Sequence, residues 1–124
     1  MKKYIKPEDR IFVAGSSGMV GSAVIRKLKE KGYGNKTNGG LILAPTRKEL
    51  DLTDINEVTS WFKLNNPSIV VISAAKVGGI FANANQPATF ILENLKIQTN
   101  IIESAWKSGV RRLLFLGSSC IYPK

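Results

Sequence analysis

Three clusters in this chain have residue types and spacings suited to chemistry. The first is Gly15-Ser16-Ser17-Gly18-Met19-Val20-Gly21, three glycines at intervals of three directly after the apolar run Ile11-Phe12-Val13-Ala14. A strand that turns sharply into a helix leaves the first N–H groups of that helix unpaired, and the helix dipole adds partial positive charge there. An anionic phosphate fits such a place. The first glycine permits the turn, the second leaves no side chain between backbone and ligand, and the third lets helix and strand pack closely. The spacing differs from the Gly-x-Gly-x-x-Gly fingerprint, so context carries the reading: a strand-like run before, an amphipathic helix after, and strand–helix alternation to the last residue. A tight turn that needs glycine only for packing is the alternative.

The second cluster follows the next apolar run and reads Ala44-Pro45-Thr46-Arg47-Lys48-Glu49-Leu50-Asp51-Leu52. A site for NAD commonly places an acid just after this strand, to accept from the ribose hydroxyls. Here two cations, Arg47 and Lys48, stand in that place. Arg47 suits bidentate contact to a 2′-phosphate and Lys48 adds charge, which favours NADP over NAD; two solvated loop cations are the plainer reading. Asp51 suits an adenine amino group, or leads into the next helix.

The third cluster is Gly117-Ser118-Ser119-Cys120, after the apolar run that ends at Leu116. Hydroxyls at a strand end can hydrogen-bond a carbonyl that is being reduced, and a thiolate can act as a base. Serines also end strands without function, and a lone cysteine is usually buried and inert. Lys76, Gly78 and Gly79 sit after the third strand-like run, where they would approach a phosphate or sugar or simply make a turn.

The elements that must position these clusters follow from periodicity. Strands are expected at residues 11–14, 41–44, 68–73 and 113–116, each short and apolar. A first helix is expected at residues 19–31, with Val20, Val24, Ile25 and Leu28 inward, stopped by Gly32. A second is expected at residues 55–64, capped by Thr53 or Asp54, with Glu57 placed to complete a capping box from Asp54, and with Val58, Trp61 and Phe62 inward. A possible single helical turn lies at residues 82–86. A long helix is expected from Pro87 to Lys107, with Phe90, Ile91, Leu95, Ile97, Ile101, Ile102 and Ala105 inward. Residues 1–10 read as a charged lead-in. Such alternation implies an α/β fold, a parallel sheet with helices on both faces and ligands at the carboxyl ends of its strands.

Composition narrows the class. Of 124 residues, 44% are hydrophobic and 22% charged, which fits a globular domain. No apolar run has the length of a membrane span, and no signal peptide follows the basic start. The single cysteine excludes an internal disulfide and fits a reducing, cytoplasmic setting. The net charge of +9 invites a nucleic-acid reading, but the Lys and Arg residues are scattered rather than gathered among aromatics. No nucleic-acid or membrane partner is expected, and no metal site.

The motifs resemble those of the extended short-chain dehydrogenases, the NAD-dependent epimerase/dehydratase family. The resemblance rests on Gly15-x-x-Gly18-x-x-Gly21, Asp51-Leu52-x-Asp54, Ala74-Ala75 after a strand, Asn94 in the long helix and Ser118-Ser119 after the next strand. More narrowly, Ala74-Ala75-Lys76-Val77-Gly78-Gly79-Ile80 and Leu114 to Lys124 look like the branch that acts on GDP-sugars. The resemblance implies a Rossmann-type sheet and an NADPH-dependent 3,5-epimerase and 4-reductase of GDP-4-dehydro-6-deoxy-D-mannose. It implies that Gly15 to Gly21 hold the pyrophosphate. Arg47 to Leu52, including Glu49 and Leu50, would hold the 2′-phosphate and adenine. Ala74 and Ala75 would lie along the cofactor, and Leu116, Gly117, Ser118 and Ser119 on its nicotinamide side. Ser118 would hydrogen-bond the 4-keto group and Cys120 would take protons from C3 and C5. The family's Tyr-x-x-x-Lys pair and acid histidine do not occur: Tyr4, Tyr33 and Tyr122 have no lysine four places on, and there is no histidine. Residues 11–124 are therefore expected to be the N-terminal part of a dinucleotide-binding domain, with the rest of that domain and a substrate domain absent. The chain alone is expected not to turn over, and the whole protein to be a homodimer, its sheets pairing through the long helix. Another nucleotide-sugar epimerase or dehydratase, or a non-catalytic NADP-binding module, are the alternatives.

Overall fold

The computed structural model describes residues 4–73 and 87–116. Strands β1 (Arg10–Ala14), β2 (Leu41–Leu43), β3 (Ile69–Ile72) and β4 (Arg112–Phe115) alternate with helices α1 (Met19–Glu30), α2 (Ile55–Asn65) and α3 (Pro87–Lys107). A short 3-10 turn, Lys36–Asn38, lies between α1 and β2. All strand pairs are parallel and the order is β2-β1-β3-β4. The chain runs from β1 outward to β2, then returns to place β3 on the other side of β1. The connections therefore diverge between β1 and β3, and a crevice opens at their carboxyl ends.

Period-two alternation sends the strand side chains to two apolar layers. Ile11, Val13, Ile69 and Val71 meet Val24, Ile25 and Leu28 of α1 on one face. Phe12, Ala14, Val70 and Ile72 meet Val58 and Phe62 of α2 and Ile97, Ile101 and Ala105 of α3 on the other. The parallel sheet with helices on both faces is thus the one read from the sequence. Phe12 anchors the second layer: its ring centroid lies 4.4 Å from that of Trp61 and 5.7 Å from that of Phe62.

The amino ends of the strands are clamped by one buried carboxylate. Asp9 accepts hydrogen bonds from the Lys6 N–H at 2.7 Å, the Ser68 hydroxyl at 2.9 Å and Arg111 Nη2 at 2.6 Å. These bonds tie the starts of β1, β3 and β4 together. Burial pushes the Asp9 carboxyl up, but the Arg111, Lys6 and Ser68 hydrogen bonds outweigh it and hold it below its usual range.

Several expectations need correction. Asp54 does cap α2, accepting from the Asn56 and Glu57 N–H groups. The box does not close, because the Asp54 N–H donates to the Asp51 carbonyl and Glu57 Oε1 accepts from the Asp51 N–H instead. Val20, expected inward, is 52% exposed and lines the cleft at the carboxyl ends of the strands. Ile91, Leu95 and Ile102 of α3, expected inward, are exposed. The helix carries more apolar residues than one stripe can hold, and Ile97, Ile101 and Ala105 occupy the stripe that meets the sheet. β4, expected buried, is exposed along its length because it is the edge of the described sheet.

Candidate functional site: a dinucleotide cleft

A cleft of about 610 Å³ opens at the carboxyl ends of β1 and β3, at the divergence point of the connections. Its floor is Phe12, Ala14 and Ser73, and its near wall is the glycine turn. Gly15 adopts φ +84°, a left-handed conformation that favours glycine. Its carbonyl accepts from the Gly18 N–H at 3.1 Å, which closes the turn. α1 then starts with Gly18 as N-cap, with no side chain capping it and no acid in its first turn. The leading N–H groups of α1 are therefore left to a ligand or solvent.

The three glycines have different reasons. A Cβ on Gly21 would strike the Gly15 carbonyl and come within 2.9 Å of Ser73 Oγ. Ser73 cannot yield readily, since its hydroxyl donates to the Ala14 carbonyl at 2.6 Å. Gly21 is thus required by helix–strand packing. Gly18 is not: its φ of −74° suits any residue, and a Cβ there would meet protein only at 3.4 Å, the Gly15 oxygen. The space beside Gly18 belongs to the cleft. A bare backbone at that place fits close approach of a pyrophosphate, and a turn needing glycine only for packing does not explain it.

The far wall comes from the loop after β2 and from α3. Arg47, Leu50, Asp51, Leu52 and Thr53 line it, with Glu93, Lys96 and Ile97. Thr53 holds Asp51 in an acceptor state: its hydroxyl donates to Asp51 Oδ1 at 2.6 Å and its N–H at 3.0 Å. Those two bonds keep the Asp51 carboxyl below its ordinary value against a weaker opposing effect of burial. Asp51 Oδ2 takes no hydrogen bond among the described residues, which leaves it open to a donor.

The structure brings together Gly15, Ser16, Ser17, Gly18, Met19, Val20, Gly21, Arg47, Leu50, Asp51 and Leu52 from the residues singled out in the sequence. Lys48 and Glu49 do not line the cleft. Glu49 turns back to accept from the Thr46 hydroxyl at 3.1 Å, and Lys48 is exposed. Leu116 is half-buried against the α1 layer. Ala74, Ala75, Lys76, Gly78, Gly79, the turn at 82–86, Gly117, Ser118, Ser119 and Cys120 lie outside the described residues. β4 nevertheless ends at the cleft's edge of the sheet, with Phe115 beside Ile72 and the Leu116 N–H donating to the Ile72 carbonyl. Phe12, Ser73, Thr53, Glu93, Lys96 and Ile97 were not singled out as site residues by sequence. Only the helical spacing of Glu93, Lys96, Ile97 and Asn100 would have hinted at the last three. Among the described residues no cluster of His, Cys, Asp and Glu suits a metal ion, and no helix is long and apolar enough to cross a membrane.

A doubly covered parallel sheet, a crevice at its divergence point and a glycine turn into an uncapped helix define a Rossmann-type α/β fold. The model of the NAD dependent epimerase/dehydratase family matches residues 11–124, and the chain belongs to that family. GDP-L-fucose synthase 1 of Arabidopsis thaliana is 55% identical over 115 residues, which are 93% of this chain and 34% of the plant protein. Among solved structures, the GDP-mannoheptose C4 reductase of Campylobacter jejuni with NADP bound superposes with a TM-score of 0.85 at 35% identity, over 96% of this chain and 36% of that one. The GDP-L-fucose synthetase of Naegleria fowleri bound to NADP gives a TM-score of 0.78 at 26% identity, over 96% and 33%. The chain spans about a third of the length of the curated relatives it matches.

Proposed function

We propose that this chain is the cofactor-holding part of a GDP-L-fucose synthase, an NADPH-dependent 3,5-epimerase and 4-reductase of GDP-4-dehydro-6-deoxy-D-mannose. The observation that carries the cofactor reading is the bare backbone at Gly18, which neither the fold nor its own φ requires and which faces the cleft. The 55% identity with the plant synthase supports the choice of substrate.

In this reading the uncapped start of α1 holds the pyrophosphate, and the Thr53-braced carboxylate of Asp51 accepts from the adenine amino group. Arg47, exposed and without an ion-pair partner among the described residues, meets the 2′-phosphate. Bound NADPH would supply hydride for reduction at C4. Ser118 would donate to the 4-keto oxygen, which acidifies the protons at C3 and C5 by stabilising the enolate. The Cys120 thiolate would remove those protons. Both residues follow the strand that ends at the cleft's edge. The chain has no Tyr-x-x-x-Lys pair and no histidine, so the proton donors for the sugar must come from residues outside these 124, and the chain by itself is inactive. The whole protein is further proposed to act as a homodimer.

The test has two parts. The chain should bind NADPH more tightly than NADH in calorimetric titration. The gene product that carries a Tyr-x-x-x-Lys pair should oxidise NADPH when given GDP-4-dehydro-6-deoxy-D-mannose and release GDP-L-fucose. Equal binding of the two cofactors would overturn the NADP assignment. Reduction without epimerisation would place the protein with simpler GDP-sugar reductases, a reading that the likeness to the GDP-mannoheptose C4 reductase favours.

A further inference from the structure

Arg47 and Asp51 stand on one loop with opposite charges, so that loop alone presents little net charge to a phosphate. The glycine turn offers only Ser16 and Ser17. Lys48, which the sequence would pair with Arg47, does not line the cleft. A second cation does, and it comes from α3.

Ile97 and Ile101 are buried against the sheet and fix the rotation of α3. Asn100 Nδ2 donates to the Leu52 carbonyl at 3.0 Å and fixes its height against the loop after β2. Lys96 lies one turn before Asn100 on the same face, and helical side chains lean toward the N-terminus. Lys96 and the Asp51–Thr53 stretch line the same cleft. Lys96 is exposed and forms no ion pair with a described residue. Among the described lining residues, Arg47 and Lys96 are the cations; Glu93, one turn nearer the start of α3, lines the cleft as well.

We propose that Lys96 is a specificity-determining residue for the cofactor: its ammonium group and the Arg47 guanidinium close on the adenosine 2′-phosphate from two different elements. This rests on the NADP reading above. Arg47 supplies the planar fork and Lys96 a mobile point charge that offsets Asp51. The two cations lie far apart in sequence, so pinning α3 to Leu52 is what assembles the phosphate site.

The test uses 2′,5′-ADP, 5′-ADP and 5′-AMP as probes in calorimetric titrations of the chain and of its Lys96→Met, Lys96→Arg and Lys29→Ala variants. Lys29 lies on α1, away from the cleft, and its variant changes net charge equally. Lys96→Met should bind 2′,5′-ADP roughly tenfold more weakly. Its affinity for 5′-AMP and 5′-ADP should stay unchanged, Lys96→Arg should recover most of the loss, and Lys29→Ala should bind as the parent does. Equal weakening toward 5′-ADP would assign Lys96 to the pyrophosphate and overturn the proposal. So would unaltered 2′,5′-ADP binding by Lys96→Met in a parent that does discriminate. A parent that binds 2′,5′-ADP no better than 5′-AMP would overturn the NADP reading itself, and this proposal with it.

Discussion

Substituting alanine at two of the turn glycines should separate folding from binding. At Gly21 a new methyl group meets the Gly15 carbonyl and Ser73 Oγ, and the first of these is backbone, which cannot rotate away. Overpacking of this kind costs about 1–3 kcal/mol, and contact with backbone places Gly21→Ala near the top of that span. Alanine's better helix propensity returns at most about 1 kcal/mol. The net expectation is a loss of about 2 kcal/mol. At Gly18 the new Cβ meets protein only at 3.4 Å. An alanine N-cap is worse than glycine, but the unfolded chain loses freedom worth about 0.4–1 kcal/mol, so Gly18→Ala should be nearly neutral for stability. Its methyl group instead fills the approach to the α1 N-terminus, and NADPH affinity should fall by roughly tenfold or more. Urea unfolding followed by tryptophan fluorescence measures the first effect, because Trp61 packs against Phe12 and Phe62. Titration with NADPH measures the second. A Gly18→Ala chain that binds NADPH as the parent does would refute the close-approach argument. A Gly21→Ala chain of unchanged stability would refute the packing argument.

Arg47→Ala should weaken 2′,5′-ADP by roughly tenfold while sparing 5′-AMP, as read by competition titration. Arg111→Ala removes a donor to the buried Asp9 carboxylate and should cost about 1–3 kcal/mol at neutral pH in urea unfolding. The Asp9 carboxyl lies below its ordinary value when folded, so its contribution is complete above the ordinary value of about 4 and is lost as pH falls through the folded value. The stability gap between parent and Arg111→Ala should therefore narrow when the same measurement is made in acid. Asn100→Ala should cost about 1 kcal/mol by losing its bond to the Leu52 carbonyl, and should weaken 2′,5′-ADP more than 5′-AMP because it frees α3 from the loop. Asp54→Ala, which removes the α2 cap, should cost about 1 kcal/mol and leave nucleotide binding unchanged.

The amino-acid order alone was enough for the alternation of strands and helices, for the parallel sheet covered on both faces and for the glycine turn into α1. These are properties of near neighbours: a short apolar run, a glycine that must take positive φ, a helical stripe. Pro87 and Lys107 bound α3 as the sequence implies, because a proline start and a Ser108-Gly109 stop are local signals. Other features depend on what a side chain meets across space. Sequence assigns the turn to Gly15, the bare backbone to Gly18 and the close packing to Gly21, but what Gly21 packs against, the Gly15 carbonyl and Ser73 Oγ, is decided across space. Lys48 follows Arg47 in sequence, yet the turn that pairs Glu49 with Thr46 leaves Lys48 outside the cleft. Lys96 enters it because Asn100 bonds to Leu52 from another element. Ile91, Leu95 and Ile102 read as inward from the sequence pattern, yet a helix can lay only one stripe on a sheet, and the contacts of Ile97 and Ile101 decide which. Periodicity fixes an element's type and its register to itself; which of its faces meets a neighbour is decided by contacts between residues that sequence keeps apart.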